Sequence, residues 1–126
     1  MVSLIGGREN WGLPQNHGVQ SLRDYVYGYA SKAVPGAIHI LNVLCRSATG
    51  LDAMSLLFTS PSRLYQIVLS FYKNAFTADT MFKTLFLNPI AKHLRGVDVD
   101  EMLHLVKTCR DDEFLKLIEK YLKSQQ

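Results

Sequence analysis

Four histidines, two cysteines and a short acidic run are the side chains here whose types suit catalysis or metal binding. Nucleophilic catalysis needs a Cys or Ser within hydrogen-bond reach of a His. Cys109 and His104 lie five residues apart on one expected helix, about 140° around its axis, and Cys45 and His39 lie six apart, about 120° around. Neither pair meets within its helix. His39, His93 and His104 fall on three separate expected helices, His17 falls in an irregular N-terminal stretch, and no His-x-x-x-His or Cys-x-x-Cys spacing occurs. Asp98, Asp100 and Glu101 resemble part of an oxygen-ligand loop, but the glycine and distal glutamate of a calcium loop are missing, and helix capping accounts for the same acids. Gly6-Gly7 is the only glycine pair, and no Gly-Lys-Ser/Thr follows it to cradle a phosphate. No catalytic residue, metal or cofactor is expected.

Recognition of nucleic acid has somewhat more behind it. Residues 60–87 read as helix, short turn, helix, the bare plan of a helix-turn-helix. Thr77, Thr80, Lys83 and Thr84 would then face a major groove, with Arg63, Lys73, Lys92, His93 and Arg95 at phosphates. The second helix carries no Arg, Asn or Gln for base edges, however, and its other face is large and aromatic.

The elements that must position these residues are helical. The first eighteen residues hold Gly6, Gly7, Gly12 and Gly18 with Pro14 and are too free in their backbone for a helix, so residues 1–20 are read as an irregular arm carrying Leu4, Ile5 and Trp11. From Ser21, with Asp24 as a weak capping partner, Leu22, Tyr25, Val26, Tyr29, Ala30 and Ala33 keep the i, i+3, i+4, i+7 rhythm. Pro35-Gly36 breaks the chain. Residues 37–47 are apolar nearly all round, the mark of a buried central helix in which His39 would be a core side chain. A short helix follows over 51–58. Ser60-Pro61 is a helix start, with Ser as N-cap and Pro at the first helical position. Thr77 caps a helix bearing Ala78, Met81, Phe82, Leu85 and Phe86, and Asn88-Pro89 bends or restarts the chain. Asp98 with Glu101 and then Asp111-Asp112-Glu113 open the last two helices, where Asp112–Lys116 and Glu119–Lys123 are i, i+4 pairs. The fold expected is all-α: a compact bundle of about six to seven helices over residues 21–126.

Composition agrees with one soluble globular domain: 126 residues, 48% hydrophobic, 20% charged, net charge +3. Residues 1–96 carry nine basic and four acidic side chains, and 97–126 carry five basic and seven acidic. Two cysteines without a dense disulfide framework fit free buried thiols and a cytoplasmic setting, and the uncharged run from Ala33 to Cys45 is too short for a membrane span. Three helices (37–47, 61–72 and 78–87) are apolar on more than one face, which is more than so small a bundle has room to enclose. The functional expectation follows: a non-catalytic protein–protein interaction or assembly module, a self-associating dimer or a binder of another protein. Its contacts would be Leu4, Ile5, Trp11, Met81, Phe82 and Phe86. The alternative is a small nucleic-acid-binding or transcription-regulatory protein using Arg63, Lys73, Lys83, Lys92 and Arg95.

Overall fold

A computed structural model describes residues 17–124, and among these every regular element is helical, with no strand. In chain order they are α1 (His17–Ala33), α2 (Ala37–Thr49), α3 (Ala53–Leu57), α4 (Pro61–Tyr72) and α5 (Ala75–Phe82), which passes without a break through a π-helical turn (Lys83–Leu87) into α6 (Asn88–His93). Then come α7 (Val99–Lys107) and α8 (Asp111–Ser124). With the stretch from α5 to α6 taken as one, seven helical segments pack around a single apolar core. None of the described helices is long and apolar enough to cross a membrane. Leu4, Ile5 and Trp11 lie outside the described residues.

Several local signals act as the residue types require. Asp52 accepts from the Ser55 amide at 2.9 Å to open α3, and Gly50 closes α2 in the left-handed conformation with its N–H on the Arg46 carbonyl. Asp98 opens α7, but its carboxylate takes the Asp100 amide at 2.9 Å and no reciprocal bond from Glu101 completes a box. Three starts differ from expectation. Helix α1 begins at His17, so Ser21 and Asp24 lie inside it, and the Asp24 carboxylate accepts from the Gln20 side chain instead of capping. Asn74, three residues before Thr77, is the N-cap of α5 and accepts the Thr77 amide at 2.9 Å. Ser60 precedes Pro61 as expected, yet its hydroxyl caps nothing. Asp111 of α8 takes the Ser62 amide at 3.0 Å and the Ser62 hydroxyl at 2.9 Å, tying the start of α4 to the start of α8 across 49 residues of sequence.

Asn88-Pro89 does not interrupt the chain. Proline inside an α-helix deprives a carbonyl four residues back of its donor and crowds it with the ring. Here the turn just before it is widened: the Asn88 amide donates to the Lys83 carbonyl, five residues back. The π turn takes up the misfit, and the helix runs on.

This continuous helix is the centre of the molecule. Phe82, Leu85, Phe86, Leu87 and Ile90 are all fully buried, with Phe82 stacked between Tyr65 (5.6 Å, edge-on) and Phe86 (5.3 Å). Helix α2, expected to be enclosed, buries only Ile38, Leu41 and Cys45, while His39 is exposed. Ile40 and Val43 stand 45% and 54% exposed on its outer side. The two helices have exchanged the places that periodicity suggested. The reason is positional: the segment from 82 to 90 packs between α1, α4 and α7, whereas α2 keeps one side, with Ile40 and Val43, free of its neighbours α1, α3 and α4.

Gly96 joins α6 to α7 with φ +98°, and a Cβ there would come within 3.3 Å of the Tyr121 ring, so both conformation and space call for glycine. Cys45 is buried and Cys109 exposed, and both are free thiols. Only Cys45 therefore meets the expectation of a buried thiol. Glu119–Lys123 forms an ion pair at 3.8 Å, whereas Asp112 and Lys116 form none.

Truncating Phe82 to Ala is expected to lower unfolding stability by about 3–5 kcal/mol, while Phe76→Ala, at a position 80% exposed, shifts it by no more than about 0.5 kcal/mol. Urea denaturation of the two variants checks both. In the same assay Asp111→Ala, which strips the Ser62 amide of its cap, costs about 1–2 kcal/mol, and Ser60→Ala stays within about 0.5 kcal/mol.

Candidate functional site: a groove between α2 and α4

The aromatic residues expected to meet a partner are not at the surface. Phe82 and Phe86 are enclosed by their own chain, and Met81 is partly buried against the same core. They offer no face, because the helix that bears them fills the middle of the bundle. Exposed apolar side chains lie elsewhere: Tyr25 and Tyr27 on α1, Ile40 and Val43 on α2, Phe71 on α4 and Phe76 on α5.

Helix α2 has two apolar sides. Ile38, Leu41 and Cys45 point into the core. Ile40, Val43, Leu44 and Ser47, spaced i, i+3, i+4 and i+7, run along the opposite side. Helix α4 repeats the arrangement: Leu64, Tyr65 and Val68 are buried, and Arg63, Gln66, Ile67, Ser70 and Phe71 line its other side. Between them lies a groove of about 750 Å³ with Leu44, Ala48, Ile67 and Phe71 as its apolar floor. Phe71 is 43% exposed and held edge-on against Tyr72 at 4.9 Å. Arg63 and Lys73 close the two ends of the α4 wall, and no Asp or Glu lines the groove.

The groove gathers two of the five basic residues singled out for nucleic acid. The other three are elsewhere. Lys83 stands 3.9 Å from Asp100, Lys92 covers the Tyr29 ring at 5.6 Å, and Arg95 is exposed beyond α6. The helix that would enter a major groove is the buried centre of the fold, and Lys83 and Thr84 on it are partly covered. His93 stacks on Tyr25 of α1 at 5.0 Å.

A second cluster, which spacing did not reveal, joins α4, α5 and α7. The Tyr65 hydroxyl donates to one oxygen of Asp79, and the Lys107 ammonium bonds the other at 2.7 Å. Burial, then the bond and the negative charge of Asp79, push the Tyr65 phenol up to about 12. For Asp79, burial alone would raise the carboxyl. The bonds from Lys107 and Tyr65 and the charges of Lys107 and Lys83 outweigh it, so the carboxyl sits below its usual range. A phenol held protonated and a carboxylate saturated by two donors make a poor acid–base pair. Their work is to pin three helices. The signal that could have found them is only compatible helix faces, since the residues lie 14 and 28 apart in sequence.

Burial, and then the Asp52 charge, raise the Cys45 thiol to about 11, which leaves it a poor nucleophile. Glu101 and His104 stand one turn apart on α7, both exposed, but among the described residues no group of three or more His, Cys, Asp or Glu gathers in a metal-binding arrangement.

Because the Asp79 carboxyl is lowered by folding, its contribution to stability is complete above the ordinary carboxylate value near ~4 and is lost as pH falls through the lower folded value. The stability difference between the native chain and Asp79→Asn is therefore expected to hold steady from neutral pH to about pH 5 and to shrink in more acid solution. Urea midpoints measured across that range check the sign; a gap that widens toward acid would contradict it.

Comparison with protein-family models, with curated proteins and with solved structures finds no match to this chain.

Proposed function

We propose that this chain is a non-catalytic protein–protein interaction module that receives an apolar helix of its partner in the groove between α2 and α4. One observation carries the reading: Phe71, 43% exposed, stands with Leu44, Ala48 and Ile67 in a groove between two adjacent helices whose other sides already fill the core. Leaving such side chains in water forgoes roughly 1.5–3 kcal/mol for each when fully buried, and a contiguous apolar face of this kind is what a partner site offers. The groove is open along the helices, so a third helix laid into it would find ridges at i and i+3/i+4 on either wall. A cytoplasmic setting suits the two free thiols.

The nucleic-acid reading has less behind it. Its basic residues are divided among separate places, and Lys83 is engaged with Asp100.

Selection of a random peptide library displayed on phage against the full chain tests the reading without presuming a sequence. The recovered peptides are expected to converge on apolar residues at i, i+3/i+4 and i+7 and to lose binding to a Phe71→Ser variant. That variant is expected to keep most of its stability, because the Phe71 side chain is already substantially exposed. A selection whose binders do not distinguish the variant from the native chain would overturn the assignment of the site.

A further inference from the structure

The charge of the groove says which helix it takes. Arg63 and Lys73 stand ten residues apart along α4, about 15 Å, which is the length of roughly ten residues of a helix lying alongside. Neither cation has an ion-pair partner among the described residues, although five such pairs form elsewhere on the molecule. Asp111 reaches the start of α4 beside Arg63, but both of its oxygens are taken by Ser62. The polar residues along the groove, Ser47, Thr49, Gln66 and Ser70, are uncharged. The site is thus an apolar floor with a free positive charge at each end and no negative one.

We infer that the occupant is an amphipathic helix with an apolar stripe and acidic residues flanking it at both ends, so that its carboxylates meet Arg63 and Lys73 as its stripe covers Leu44, Ile67 and Phe71. This rests on the interaction reading above and narrows it to a partner chemistry. A second copy of the chain fits less well. Two copies set groove to groove bring Arg63 and Lys73 of each against like charges. The acidic α8 of a second copy has its apolar side committed to its own core through Phe114, Ile118 and Leu122, and its exposed side mixes Asp112 and Glu113 with Lys116, Lys120 and Lys123. A nucleic acid would use the cations and leave Leu44, Ile67 and Phe71 uncovered.

The test uses two synthetic 14-residue peptides with the same leucines at i, i+3, i+4 and i+7, one with glutamates and one with lysines at the two flanking positions. Fluorescence anisotropy against the full chain gives their affinities, and amide shifts of the labelled chain locate them. The glutamate peptide is expected to bind about fivefold or more tightly at low salt, an advantage that shrinks toward about 0.5 M salt. Its shifts should map to α2 and α4. In an Arg63→Gln/Lys73→Asn variant, where Asn suits the left-handed backbone of Lys73 (φ 59°), the two peptides should bind alike. Equal binding of both peptides to the native chain at the groove would overturn the acidic assignment and leave the interaction reading standing. Shifts mapping elsewhere, or a glutamate advantage that survives in the variant, would overturn it too. If neither peptide binds, the assignment also falls, and light scattering at two concentrations then decides the broader reading. A dimer abolished by Phe71→Ser would make a second copy the occupant, and a monomer at both would remove the interaction reading as well.

Discussion

A bundle of short helices has one centre, and one helical segment holds it. Everything else in this molecule follows from which segment holds that place. It goes to the continuous helix from α5 through the π turn into α6, where Phe82, Leu85, Phe86, Leu87 and Ile90 are withdrawn from water together. Helices α1, α4 and α7 pack on it. Helices α7 and α8 turn a largely polar side outward, and α1 exposes Tyr25 and Tyr27. Helices α2 and α4 have a second apolar side, and the excess has nowhere inside to go. The groove between them is the residue of that arithmetic of surfaces, so the site is not an ornament added to the fold.

Much of the architecture is readable from residue types alone, because caps and periodicity are local. The short α3, Ser60-Pro61 at the head of α4, Asp98 before α7 and the amphipathic stripe of α8 all lie close to where spacing puts them. What spacing does not supply is rank. Residues 37–47 and 78–87 are both apolar nearly all round, and nothing along either segment says which will be enclosed and which will lie at the surface. That choice depends on how many neighbours each finds in space. The same limit explains Asp111, whose carboxylate caps a helix 49 residues away instead of its own, and Pro89, whose disruption is absorbed by a neighbouring turn. His39 and Cys109 were likewise placed inside by their apolar sequence neighbours and are exposed in three dimensions.

The candidate site was half legible. Arg63 and Lys73 stand out in sequence as basic residues at either end of one helix, though for phosphates, and Ile67 and Phe71 stand out as members of an apolar stripe. Helical geometry splits that stripe: Leu64 and Val68 turn inward, while Ile67 and Phe71 lie on its edge, beside the cations. Charge and apolarity that look separate along the chain become one surface only when α2 lies next to α4. The Tyr65–Asp79–Lys107 network makes the complementary point. It joins the far side of α4 to α5 and α7, so the wall of the groove is fixed from behind by bonded polar groups as well as by packing.

The π turn at Lys83–Leu87 amounts to one residue more than a regular α-helix would need to join its two halves. That odd residue sets the phase between them. Without it, everything after Leu87 would rotate by about 100° about the axis, and Pro89 and Ile90 would swing off the side they now bury. Length in this segment is therefore a quantity the fold counts: a swap of one apolar side chain for another touches packing at a single spot, but loss of a single residue would re-index the whole second half of the central helix.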